Sequence, residues 1–113
     1  LLSVYQPGVR KTLRAQNATI GIRGTGIYVE SGADRTYVCT CYGESELTPL
    51  ADPGARETVR TRHHEQPRYI MPKGAPQMMM KAPVINHTDA ELAMLESLVG
   101  RSVPFDPTGY RSY

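Results

Sequence analysis

The chain has 113 residues, enough for one domain with a thin core: 40% of them are hydrophobic, with no Trp, one Phe and seven Tyr. A formal charge of +2, with Arg scattered along the chain, excludes a nucleic-acid binder built on a clustered basic stripe. No apolar run approaches the ~20 residues of a membrane-spanning helix, and a start at Leu1 without Met is expected of a mature or trimmed segment whose targeting sequence is lost.

Val4, Val9 and Leu13 are apolar around a Pro7-Gly8 turn, and Lys11 to Ala15 suits a short strand. Thr19 to Ile22 predicts a strand that runs into a bend at Gly24-Thr25-Gly26. Ile27 to Glu30 predicts a second strand leaving it, because Gly tolerates close approach and positive φ. After a turn at Ser31 to Asp34, every residue from Thr36 to Tyr42 is β-branched, aromatic or Cys. This is the strongest strand signal in the chain. Alternation puts Tyr37, Cys39 and Cys41 on one face and Thr36, Val38, Thr40 and Tyr42 on the other. Gly43-Glu44 permits a bend. Thr48 to Ala55, with Asp52-Pro53-Gly54, reads as a loop. Glu57 to His63 alternates charged and β-branched residues as a strand does, and Arg68 to Met71 suits an edge strand.

The region 72–87 is Pro- and Met-rich, with the run Met78-Met79-Met80, and reads as an extended linker. Thr88-Asp89-Ala90-Glu91 is a capping box and opens the one clear helix. Leu92, Met94, Leu95, Leu98 and Val99 form its apolar stripe, and Gly100 stops it. The tail 101–113 is expected to be irregular, tied down where Phe105 or Tyr110 docks. The fold class is therefore mainly β. A small stacked-strand domain, solenoid- or sandwich-like, spans 1–71; the linker 72–87, the capped helix 88–100 and the tail follow.

Cys39-Thr40-Cys41 is the sharpest chemical feature. Residues i and i+2 on a strand point the same way at ~6.6–7 Å between Cα atoms, which is at or beyond the disulfide limit. Two thiolates at that spacing suit a metal. With His63-His64 on a later strand they make a candidate Cys2His2 set of Cys39, Cys41, His63 and His64, suited to zinc or an iron–sulfur cluster. Only one of the two histidines shares a face with the cysteines if the strand is regular. Met78, Met79, Met80 and His87 offer soft ligands for copper as an alternative. The competing reading packs both cysteines as small hydrophobes and leaves the histidines at a solvated strand end. The spacing matches neither Cys-x2-Cys zinc patterns nor haem attachment. Met78 to Met80 suit a packing strip, and Arg23 suits a donor to nearby carbonyls, with anion binding as its alternative. There is no Gly-x-Ser-x-Gly elbow. Gly21 to Gly26 lacks the Lys and following helix of a phosphate loop.

The run Gln16 to Thr25, a strand reaching an Arg23-Gly24-Thr25 turn, resembles the core motif of the FecR-type domain. Gly43-Glu44-Ser45 stands where the family has its Gly-Glu bend, and Glu57 to Gln66 where it has its last strand. The resemblance covers residues 9 to 70. It implies an all-β unit of the bacterial periplasm or cell surface, without enzymatic activity. Such a unit would bind a protein partner or further copies of itself through sheet edges, arm and helix. The Cys-x-Cys, the Met-rich linker and the terminal helix depart from that pattern.

Overall fold

The computed structural model describes residues 1–106. They form one antiparallel sheet of seven strands and a single α-helix, the mainly-β class with one C-terminal helix. The strands are β1 (Leu2–Val4), β2 (Arg10–Arg14), β3 (Ala18–Glu30), β4 (Thr36–Pro49), β5 (Glu57–Thr61), β6 (Arg68–Ile70) and β7 (Met79–Lys81); the helix is α1 (Asp89–Leu98). No helix among the described residues is long and apolar enough to cross a membrane.

β3 and β4 are the axis of the sheet. Each is long enough to serve two short partners in succession. β3 pairs with β2 along its first half and with β1 along its second. β4 pairs with β6 along its first half and with β5 along its second. The predicted bend at Gly24 to Gly26 is a bulge inside one continuous strand, where the β3–β4 register shifts between Arg23 and Ile27. The predicted bend at Gly43 is likewise absorbed: β4 runs on to Pro49. Gly43 has φ +95°, and a Cβ there would lie 2.6 Å from the Gly24 carbonyl oxygen. The glycines thus let two strands cross tightly without ending either.

The bulge has one consequence for side-chain placement. Strict alternation puts Tyr42 opposite the cysteines, yet Tyr42 packs in the same core as Cys39 and Cys41. Cys41 is the residue skipped in the register, between Thr40 opposite Ile27 and Tyr42 opposite Gly26. The Tyr42 ring lies where a Gly26 Cβ would be, 2.5 Å from Cζ. Two cores result. Ile20, Ile22, Ile27, Val29, Val38, Leu47, Val59 and Ile70 fill one. Tyr37, Cys39, Cys41, Tyr42, Leu92 and Val103 fill the other.

The linker is partly strand. Met79 to Lys81 pair with β6, so β6 is internal and β7 takes the edge. Met79 packs against the first core and Met80 is exposed. The helix starts as the capping box predicts, with the Glu91 N–H donating to Thr88 Oγ1 at 3.2 Å. It ends in a Schellman motif: Gly100 N–H donates to Ser97 O and Arg101 N–H to Glu96 O. Its buried face differs from the expected stripe. Leu92 is fully buried, Glu96 is buried, and Met94, Leu98 and Val99 face outward. Glu96 is accommodated because the Tyr42 hydroxyl donates to it at 2.7 Å and Arg101 pairs with it at 2.7 Å. In the tail, Val103 is buried and Phe105 packs on the second core. Tyr110 lies outside the described residues.

Candidate metal centre

β4 has no partner strand on one side between its pairing with β6 at Thr36 to Val38 and its pairing with β5 from Gly43 onward. Cys39 and Cys41 sit in this gap. The chain between β5 and β6 fills it, and the His64 N–H donates to the Cys41 carbonyl at 2.8 Å. That bond turns the His64 ring onto the cysteines. From the other direction, the segment leading into α1 brings His87 down just before the Thr88 cap. His64 (φ +58°) and Asn86 (φ +60°) are the non-glycine residues with left-handed backbone among the described residues. One is a member of the cluster and the other adjoins His87. Strained backbone of this kind persists where surrounding structure over-determines it, and it concentrates at functional sites.

Cys39, Cys41, His64 and His87 are all buried, and their donor atoms lie within 4.8 Å of one another. The separations are 3.7 Å for Cys39 Sγ to Cys41 Sγ, 3.2 Å for Cys39 Sγ to His64 Nδ1, 3.3 Å for Cys41 Sγ to His87 Nε2 and 3.2 Å for His64 Nδ1 to His87 Nε2. A tetrahedral zinc ion with ordinary bond lengths has edges of roughly 3.8 Å between sulfurs, 3.5 Å between sulfur and nitrogen and 3.3 Å between nitrogens. The four side chains can therefore hold a single metal ion.

The outer contacts settle which ring nitrogens face inward. His64 Nε2 donates to Asp89 Oδ1 at 2.8 Å, and His87 Nδ1 donates to the Ile85 carbonyl at 2.6 Å. This leaves Nδ1 of His64 and Nε2 of His87 turned toward the sulfurs and toward each other. Metal-ligating histidines are held in this way, by a carboxylate or a carbonyl on the far nitrogen. Asp89 uses its second oxygen for His63 Nε2, at 2.7 Å. Phe105 stacks on the His63 ring with centroids 4.1 Å apart, and Tyr28 stacks on His87 at 4.6 Å. Glu30 ties that wall together, accepting from Tyr28 and from Asn86.

The electrostatics polarise the thiols. The Cys41 thiol donates to Cys39, and His64 and His87 add to it, so the Cys39 pKa falls to about 4 against its burial. Burial and the neighbouring Cys39 thiolate push Cys41 up. For His64, burial pulls the pKa down, but the contacts with Cys39 and Asp89 outweigh it and the pKa rises. The pair is thereby driven apart, Cys39 toward thiolate and Cys41 toward thiol.

Of the residues expected from the sequence, the structure brings Cys39, Cys41 and His64 together. His63 sits one position outward, on Asp89, in a second grouping of His63, His64 and Asp89. His87 joins the cysteines in place of His63, without the Met run that accompanies it in the copper alternative. Met79 belongs to the opposite core. The cysteines are free thiols buried in the second core and form no disulfide; their contacts with His64 and His87 add to that packing. The chain matches no family model, and no curated protein or solved structure is significantly similar to it.

Proposed function

We propose that this chain is a metal-binding β domain in which one zinc ion, held by Cys39, Cys41, His64 and His87, fixes the C-terminal helix to the sheet. The observation that carries this reading is the convergence of two ring nitrogens at 3.2 Å, both with their N–H groups committed outward. A proton satisfies one nitrogen–sulfur pair at a time; a tetrahedral cation satisfies all four donors. Two thiolates with two imidazoles favour zinc. Four protein ligands leave no open position for substrate or water, which is the pattern of structural rather than catalytic zinc. The ion would supply cross-linking and charge neutralisation, and the domain would be non-enzymatic.

The test is elemental analysis of protein purified without an affinity metal, with a thiol count. One metal per chain is expected. It is lost in His87→Ala and Cys41→Ser and retained in His63→Ala. Loss in His63→Ala with retention in His87→Ala would sink the assignment, as would metal-free wild type that cannot be loaded.

A role in protein interaction is the second reading. It is favoured by the outward face of α1, where Met94, Leu98 and Val99 are each more than half exposed. It joins the FecR-type resemblance, which would place such a module in the bacterial envelope. Sedimentation of wild type against Leu98→Glu checks it: self-association that the charge abolishes supports a homo-oligomer, and a monomer at all concentrations removes it.

A further inference from the structure

A concavity on the sheet shares no residue with the metal cluster. It is a trough of about 600 Å³ across β2, β3, β4 and β5. The strand registers build it in two rows. Arg10, Arg23, Glu44 and Arg60 lie side by side in the first, and Thr12, Gly21, Glu46 and Thr58 in the second. Gly21 has no side chain, so the floor of the trough is open at its centre.

The first row is unbalanced. Glu44 pairs with Arg60 and, at 3.4 Å, with Arg23. Arg10 stands directly opposite Arg23, and among the described residues no carboxylate is within ion-pair distance of Arg10. Like charges facing across an antiparallel pair are destabilising. The first row holds three arginines against Glu44, and Glu46 is the one carboxylate of the second row. Arg10 and Arg23 lie on the β2 side of Glu44 and Arg60 on its β5 side, while Glu46 and the Thr58 hydroxyl occupy the β4–β5 end of the second row.

We propose that this trough binds a phosphate monoester of a polyol or sugar. The Arg10 and Arg23 guanidinium groups would take the phosphate, matching its oxygens with their planar forks. The Thr12 hydroxyl adds a donor. The carbon skeleton lies over Gly21, and its hydroxyls donate to Glu46 and exchange hydrogen bonds with Thr58. The binding is non-covalent, and the phosphate relieves the opposed Arg10–Arg23 pair.

Titrating metal-loaded protein with glucose 6-phosphate, inorganic phosphate and glucose separately, at constant ionic strength, tests this by amide chemical-shift mapping. Glucose 6-phosphate should bind at least about tenfold more tightly than either fragment, since each charged hydrogen bond lost costs about a factor of ten. The shifts should centre on residues 10–12, 21–23, 46 and 58. Arg10→Gln and Arg23→Gln should each weaken binding about tenfold, and Gly21→Leu should abolish it while the melting temperature stays near wild type. Equal affinity for inorganic phosphate and the sugar phosphate would overturn the polyol assignment. No binding, shifts centred elsewhere, or unchanged affinity in the Arg variants would overturn the site.

Discussion

Asp89 divides its carboxylate between two imidazoles, Oδ1 to His64 and Oδ2 to His63. Its effect on an ion would pass entirely through the His64 ring. Removing such an outer partner typically lowers metal affinity 10- to 100-fold, whereas removing a ligand removes the site. Asp89→Ala should therefore retain metal with affinity about 10- to 100-fold weaker in a competition titration against a chelator. His63→Ala should fall at or below the lower end of that range. Parity with His87→Ala in either variant would place Asp89 or His63 in direct contact with the ion. Cys39 and Cys41 were legible because strand alternation is a local rule that puts both on one face. The predicted strand Glu57 to His63 ends at Thr61, so alternation could not choose between His63 and His64, which both turn onto Asp89. His87 was not legible as their companion, because 46 residues separate it from Cys41 and no local pattern reports that distance. The available signal was its position beside the capping box of the one predicted helix, where a fixed helix start holds a neighbouring side chain in place.

α1 is held at both ends of its inward face. Leu92 is fully buried in the second core. One turn on, Glu96 accepts from Tyr42 and pairs with Arg101. Leu92→Ala should destabilise the domain by about 2–5 kcal/mol in denaturant unfolding, the range for a large apolar side chain lost from a packed site. A change below 1 kcal/mol would mean that α1 contributes little packing. Metal removal should act on the same element. Chelation should raise hydrogen exchange across 88–99 and at Cys41 more than at Ile20, Ile22 and Leu47, whose core contains none of the four ligands. Uniform loss of protection would instead make the ion a keystone of the whole sheet. The capping box and the Gly100 stop were readable because caps are short-range devices. The inward face was not. The stripe of Leu92, Leu95 and Val99 is what hydropathy alone selects, and a buried glutamate becomes acceptable only through Tyr42 and Arg101, which the bulge and the Schellman turn place beside it.

Across the whole molecule, the proposed metal binding would be linked to protons. Cys39, with its pKa near 4, is ionised at neutral pH, while Cys41 is pushed up and carries its proton. Binding a cation must expel the Cys41 proton, and any proton held by His64, whose pKa is raised. Affinity should therefore climb as pH rises, by about tenfold per unit for each proton released. Calorimetry in buffers of different ionisation enthalpy should count at least one proton between pH 6 and 8. Below pH about 4 Cys39 is protonated as well, and the dependence should steepen. A pH-independent affinity would mean that both thiols are already ionised. The mainly-β class was legible from the run of Thr36 to Tyr42 and from the turn residues around it. The partner exchange along β3 and β4 was not, because glycine signals a break and a bulge alike. Which one forms depends on whether the strand beyond has a neighbour to pair with, as β4 does in β5.

For the proposed site, the order of the four residues along the chain would set an order of assembly. Cys39 and Cys41 belong to the hairpin of β3 and β4, whose ends meet across the short connection 31–35. His64 arrives with the next crossing, and His87 only after the edge strand is laid down. A chain emerging from synthesis would then present two sulfurs before the His87 nitrogen exists. An ion captured early would wait, loosely held, for a closing residue that lies next to the helix cap. The last step of maturation would then be the swing of one imidazole into place, and its rate would be that of docking a helix rather than of forming a sheet.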